Sequence, residues 1–258
     1  MNDLRRGGLG TYALSDKVAV VSGGSGGIGA AVVRRLAAAG AKVAVGYGGG
    51  LQRAQALVAE LPGEGHRALA LPMEDSEALR AAAAETRKVY ARCDILVNSA
   101  GITRAVPHAD LEALDDATFD RIYTTNVRGP FATIRAFVPL LREAGDAVIV
   151  NISSISAFTG SGSSIAYCAS KAALDTMGLS LARALGPQIR VITVSPAAVE
   201  TDFVPGRDRA AIEKQARSTP LRVVVHPDDV ALSVMGAITH LRLATGTTVV
   251  IDGGKHLS

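Results

Sequence analysis

Short runs of Val, Ile, Ala and Leu alternate along the chain with longer Ala-rich segments whose apolar residues fall at helical spacing. That alternation marks repeated strand and helix units around a parallel sheet buried on both faces. Strands are expected near Val18–Val21, Val43–Gly46, Ala68–Leu71, Ile95–Asn98, Ala147–Ile152, Arg190–Val194 and Thr248–Ile251. Helices are expected over Ile28–Ala39, Arg53–Leu61, Ser76–Tyr90, Tyr167–Leu185 and Asp228–Ile238, with a longer one over Leu114–Leu141 interrupted near Gly129-Pro130. The rhythm breaks over Asp202–His226, where Pro205, Gly206, Pro220 and a dense set of charges predict a mobile excursion of loop and short helix. The pattern as a whole predicts an α/β fold: a doubly wound parallel seven-stranded sheet with helices on both faces. Residues 1–14 read as a flexible lead-in and 15–258 as a single domain, since no internal repeat or low-complexity linker divides them.

At 258 residues the chain is long enough to bury a substantial core. The net charge of +3 is small, and the basic residues are scattered instead of forming a run that would follow phosphates, which disfavours nucleic-acid binding. Cys93 and Cys168 stand far apart and outside CxxC or metal-ligand spacing, so both read as reduced thiols. The histidines His66, His108, His226, His240 and His256 show no metal spacing, and no metal is expected. The N-terminal residues carry no apolar stretch of signal-peptide length, and no later segment has the length of a membrane span. A cytoplasmic protein without a membrane partner is the expectation.

After the first expected strand comes Ser22-Gly23-Gly24-Ser25-Gly26-Gly27-Ile28-Gly29, followed at once by a helical run. Glycine there lets the backbone turn sharply and approach a pyrophosphate, whose charge then sits over the free amides of the helix N-terminus. Further along, Tyr167 and Lys171 stand four apart on an expected helix and so share one face. A phenol with a pKa of about 10 is a poor acid or base at neutral pH, but a neighbouring ammonium stabilises its phenolate and brings it toward the working range.

The glycine spacing resembles the TGxxxGxG of the short-chain dehydrogenase/reductase family, with Ser22 in place of Thr. The resemblance continues in the family's order from Lys17 to Gly254. Asn98-Ser99-Ala100-Gly101 is similar to its NNAG, Asn126 to its helix asparagine, and Ser154, Tyr167 and Lys171 to its serine and YxxxK. Pro196-Ala197-Ala198-Val199-Glu200-Thr201 is similar to its PGxxxT, and Thr245-Gly246 with Asp252-Gly253-Gly254 to its C-terminal strand. The NSAG and C-terminal regions resemble those of 3-oxoacyl-carrier-protein reductases, which share them with sugar, steroid and xenobiotic dehydrogenases.

This resemblance implies a Rossmann-like domain and an NAD(P)-dependent oxidoreductase passing a hydride between nicotinamide and a small-molecule carbonyl or secondary alcohol, with 3-oxoacyl thioesters or other ketones foremost. It also implies a homotetramer built on the Tyr167–Leu185 helix, its predecessor and the last strand. Tyr167 would be the general acid/base, Lys171 would also hold the nicotinamide ribose, Ser154 would donate to the substrate oxygen, and Asn126 would fix a water linking Lys171 to solvent. Ser154 is preferred to Ser153 and Ser156 for its thirteen-residue separation from Tyr167. The implied cofactor contacts are Gly23, Ser25, Gly26, Gly27, Ile28, Tyr47, Asn98, Ala100, Gly101, Pro196, Val199 and Thr201, together with Tyr167 and Lys171.

An acidic residue about 20 positions beyond the glycine loop usually binds the adenosine ribose and repels a 2′-phosphate. Gly46-Tyr47-Gly48-Gly49-Gly50 stands there instead, which favours NADP, with backbone amides and the Ser25 hydroxyl to meet the phosphate. Arg53 is either a further phosphate contact or a solvated helix residue. Ala197 replaces the family's glycine after Pro196, which is harmless unless the position needs positive φ. Asp75 arrives late for the Asp that the family sets against adenine, and reads as a helix cap. The side chains of Ile155, Ala157, Phe158 and Phe203 are expected to line a partly apolar pocket, with Asp202–His226 closing over it. Cys168 reads as a buried thiol. A catalytically idle dinucleotide-binding sensor or structural partner is the other class of function, and the presence of both Tyr167 and Lys171 argues against it.

Overall fold

The computed structural model describes residues 14–206 and 209–257. Among these residues, strands β1 (Val18–Ser22), β2 (Lys42–Tyr47), β3 (Arg67–Ala70), β4 (Ile95–Asn98), β5 (Ala147–Ile152), β6 (Ile189–Pro196) and β7 (Thr247–Ile251) form one sheet. Its order is β3-β2-β1-β4-β5-β6-β7, with every neighbouring pair parallel. The chain reverses its direction of winding between β1 and β4, so the loops leaving these two strands diverge and open a crevice at the carboxyl ends.

Strands β1, β4, β5 and β6 are buried along their whole length, which is why they read as unbroken apolar runs. Helices α1 (Gly27–Ala38) and α9 (Pro227–Thr239) cover one face, packing Val32, Leu36, Val230 and Val234 over Val21 and Val97. Helices α3 (Ser76–Tyr90) and α5 (Gly129–Ala144) cover the other, with Leu79, Phe137 and Leu141 over Val20, Leu96 and Ile149. Each such side chain contributes about 1.5–3 kcal/mol on burial. The remaining helices are α2 (Leu51–Glu60), α4 (Asp116–Tyr123), α6 (Ser156–Thr159), α7 (Ile165–Leu185) and α8 (Arg209–Arg217).

Two buried ionic groups pin the layers together. Arg190 on β6 donates to the carbonyls of Ala237, Ile238 and Leu241, so a cation closes the C-terminal end of α9. Asp94, almost wholly buried before β4, accepts from the Val18 amide and from the side chains of Lys17 and Arg92. Burial pushes its carboxyl up, but these donors outweigh it and hold the group below the ordinary carboxylate range.

The structure revises the sequence reading at several points. Leu14, assigned to the lead-in, is fully buried in the α1/α9 core, because its apolar side chain gains more from that contact than from water; the rest of the lead-in lies outside the described residues. The interruption near Gly129-Pro130 takes the form of a π-helical turn over Thr124–Arg128. Gly129-Pro130 then opens α5. The glycine is there for close approach, since a Cβ would lie 2.7 Å from the Met73 Cβ. Asp75 does cap α3, accepting from the amides of Glu77 and Ala78. The short α6 and a 3-10 turn over Lys255–Leu257 have too few residues to show a periodicity.

Replacing Asp94 by Ala leaves the buried Val18 amide without its acceptor and removes the carboxylate facing Lys17 and Arg92. We expect a loss of about 2 kcal/mol, read in urea melts as a lower midpoint with an unchanged slope.

Candidate active site

The cleft begins where β1 ends. The Ser22 hydroxyl accepts from the amides of Ser99 and Ala100, both at 3.2 Å, tying the mouth of β1 to that of β4. Gly23 then turns with φ +63°, and a Cβ there would come within 2.8 Å of the Ala100 backbone. Helix α1 starts after the extended Gly26 with no side-chain cap and no acidic residue in its first turn. Its first amides are therefore open to an anion. On the far wall Gly48 and Gly49 face open space, and the Arg53 guanidinium folds back over Gly50. These residues border a cleft of about 1790 Å³ that reaches Ser154, Tyr167 and Lys171. A glycine cradle, an uncapped helix end and a wall without carboxylates fit a dinucleotide with its phosphates over α1.

The other end is organised by α7. Ser164 caps this helix, its hydroxyl accepting from the Tyr167 amide at 3.3 Å, so the helix starts two residues earlier than periodicity suggests. Tyr167 lies in its first turn and Lys171 one turn on. The Lys171 amine is buried, donates to the Ile152 carbonyl at the end of β5 at 2.8 Å, and stands 5.6 Å from the centre of the Tyr167 ring. Burial draws its pKa down to about 8, partly opposed by the Asp175 carboxylate. Asp175 is four further along α7; burial pushes its own carboxyl up against a hydrogen bond from Ser153 and the charge of Lys171.

The π-helical turn places Asn126 between two elements. Its Oδ1 accepts from the Ile102 amide at 2.8 Å, while Nδ2 donates to the Ile102 carbonyl and to the Ser170 hydroxyl. Ser170 in turn donates to the Tyr167 carbonyl. The loop after β4 and the first turns of α7 are thus joined through one amide. Gly101 separates Asn126 from Lys171: an added Cβ would be 3.3 Å from Oδ1 and 3.8 Å from Nζ. At the end of β5 the Ser154 hydroxyl lines the cleft and pairs with Ser156, donating to its hydroxyl at 3.1 Å and accepting from its amide at 3.2 Å.

A family model described as short chain dehydrogenase matches residues 17–211. The chain belongs to the short-chain dehydrogenase/reductase family. A Streptomyces violaceoruber protein named as ketoacyl reductase 2 of a granaticin polyketide synthase is 37% identical over 96% of this chain and 100% of its own. The D-threitol dehydrogenase of Mycolicibacterium smegmatis is 34% identical over 94% of each chain. A short chain dehydrogenase of Burkholderia cenocepacia, solved in complex with NADP, superposes with a TM-score of 0.85 at 37% identity, covering 95% of this chain and 99% of its own. The protein is therefore a short-chain dehydrogenase/reductase, of a family that binds a nicotinamide cofactor.

Within this dehydrogenase the expected residues divide. Gly23, Ser25, Gly26, Gly27, Ile28, Ala100 and Gly101 border the cleft, as do Pro196, Val199 and Thr201 of the segment after β6. Tyr47 and Asn98 are not among the residues that border the cleft. Tyr47 packs against the α1-side core and does not line the cleft, leaving that wall to the glycines and Arg53. The Asn98 side chain is buried and donates to Asn151 Oδ1 on the adjoining strand at 2.9 Å, which ties β4 to β5. Ala197 has no positive φ, and its amide donates to Ile251, so the methyl costs nothing. Phe203, from the irregular Asp202–His226 segment, meets the Tyr167 ring at 5.9 Å, and Ile155 and Phe158 also face the cleft, whereas Ala157 does not line it. Cys168 is buried beside Ser156, its thiol pushed up by burial.

Sequence reasoning missed Asp175, Glu74 and His256. Asp175 continues the four-residue spacing of Tyr167 and Lys171 along one helical face, a signal that was present. Glu74 lines the cleft and accepts from the Thr125 hydroxyl, which no local pattern announces.

The unfolded chain keeps the Lys171 proton up to the ordinary value of 10.5, whereas the folded chain releases it at about 8. Between these values the unfolded state binds more protons, so the stability under Lys171 control is lowest below pH 8 and rises toward pH 10.5. Lys171→Met abolishes that dependence. In urea melts the stability difference, variant minus wild type, should be largest at pH 7 and shrink by up to about 1.4 kcal/mol per pH unit above pH 8.

Proposed function

We propose that this dehydrogenase is an NADP-preferring ketone reductase, acting reversibly on small carbonyl compounds and secondary alcohols with Tyr167 as general acid/base. Residues 15–258 act as one catalytic domain, in a cytoplasmic homotetramer. The observation that carries the reading is the buried Lys171 amine, 5.6 Å from the Tyr167 ring in a cleft that Ser154 also lines.

When bound, the nicotinamide supplies the hydride to the carbonyl carbon, or receives it in the reverse direction. The chain's own residues manage the oxygen. Tyr167 gives its phenolic proton to that oxygen as negative charge develops there, and Ser154 donates a hydrogen bond to the same atom, oriented by the Ser156 amide. Lys171, anchored on Ile152, stabilises the phenolate that remains. A water beside Gly101, between Asn126 and Lys171, returns the proton from solvent.

The preference for NADP is supported by a wall of Gly48, Gly49, Gly50 and Arg53 with no carboxylate to repel a 2′-phosphate. The substrates to test include 3-oxoacyl thioesters and polyol-derived ketones, because relatives are named as a ketoacyl reductase and a D-threitol dehydrogenase. The tetramer is supported by Leu179 on α7 and Leu243 before β7, both apolar and exposed, beside the open β7 edge.

A panel of 3-oxoacyl thioesters, simple ketones and sugars, followed by NADPH or NADH absorbance, tests the activity. Tyr167→Phe should lower kcat about a thousandfold while leaving the NADPH Kd within about twofold, since only the proton donor is lost. Cofactor binding by the wild type with no turnover across the panel would favour the idle sensor instead. Arg53→Ala should raise the KM for NADPH about tenfold and leave that for NADH unchanged, the size of one charge-assisted contact; equal effects on both would remove Arg53 from the phosphate site.

A further inference from the structure

Among the polar side chains of the cleft to which no role is assigned above, one is held in place by a buried carboxylate. His256 lies in the 3-10 turn after β7, and its ring lines the cleft. Asp252, 5% exposed, builds that turn: its carboxylate accepts from the amides of Gly254 and His256, both at 2.8 Å, and from His256 Nδ1 at 2.6 Å. Burial pushes the Asp252 carboxyl up, but these donors prevail and keep it ionised. On its other side the imidazole meets Phe158 of α6 edge-on, with centroids 6.0 Å apart. Because α6 follows directly on Ser154, this contact puts the ring at the substrate end of the cleft and away from the glycine loop.

The turn itself does not require an imidazole, since the backbone amide of residue 256 serves it. Nor does the core, because the side chain remains 34% exposed. The ring is nevertheless fixed on two sides. In the neutral imidazole Asp252 accepts from Nδ1–H, which leaves on Nε2 a lone pair that has no partner among the described residues. A lone pair backed by a buried carboxylate attracts a hydrogen-bond donor and repels an anion. The neighbouring Lys255 also lines the cleft, its ammonium turned to the Ser218 hydroxyl.

We propose that His256 is a specificity-determining residue whose Nε2 accepts a hydrogen bond from a hydroxyl that the substrate carries beyond its reacting carbonyl. The preferred substrate is then a hydroxylated ketone or, in the reverse direction, a polyol. This rests on reading the cleft as a carbonyl and alcohol site, and binding is therefore measured apart from turnover.

The ligands are 4-hydroxy-2-butanone, 5-hydroxy-2-pentanone and 6-hydroxy-2-hexanone, each paired with its parent ketone, and 4-oxopentanoate. Binding to the full chain saturated with NADP is followed by ligand-observed NMR, and NADPH oxidation is assayed separately. The wild type should bind at least one hydroxyketone about tenfold more tightly than its parent, the worth of one hydrogen bond. His256→Ala should erase that preference while holding the parent ketone within about twofold, and His256→Gln, with an amide carbonyl at similar reach, should restore part of it. A preference that survives His256→Ala overturns the proposal, as do equal binding of every pair by the wild type and a preference for 4-oxopentanoate. Loss of discrimination in His256→Ala alongside no NADPH oxidation by the wild type would support the role of His256 and sink the reductase reading alone.

Discussion

A primary amine with almost no access to water is the constraint around which the site is arranged. An ammonium in the interior is costly unless polar groups replace its solvent, and Lys171 has the Ile152 carbonyl, the Tyr167 ring and, one turn away, Asp175. Meeting that requirement fixes α7 against the end of β5. Ser153 reinforces the register, its hydroxyl reaching the Lys171 carbonyl. The same burial that lowers the affinity of the amine for its proton strengthens its pull on a phenolate beside it. Structural cost and chemical usefulness therefore have one origin.

The sheet makes such an arrangement affordable. Apolar strands packed on both faces give a rigid platform, and the winding reversal between β1 and β4 leaves the loops at the carboxyl ends free to diverge. Into that space the glycine loop brings bare amides, β5 brings Ser154, α7 brings Tyr167 and Lys171, and the turn after β7 brings His256. These parts follow three strands, β1, β5 and β7. Asn126, from the π-helical turn, joins two of these parts from beneath the cleft without entering it.

Much of the fold was legible because burial on both faces selects β-branched and aliphatic residues in short unbroken runs; β4 and β5 have the limits that pattern predicts. Local spacing says least where a residue answers to something distant in sequence. Gly129 marks the end of the π-helical turn, and its smallness serves contact with Met73, which no local pattern announces. Asn98 sits in a motif associated with the cofactor, yet its side chain reaches Asn151, 53 residues away. Tyr47 ends β2 and packs against the core on the α1 side.

The sequence by itself determined the parallel sheet, the glycine turn before α1 and the shared face of Tyr167 and Lys171, because each depends on spacing within one strand, loop or helix. Only the tertiary structure decided which side chains of the remaining strand ends meet: Asn126 with Ile102 and Ser170, Phe203 with Tyr167, and His256 with Phe158. The physical reason is that hydrogen bonds and ring contacts act over a few ångströms in space. Segments far apart along the chain come within that range only after the hydrophobic layers have closed on the sheet.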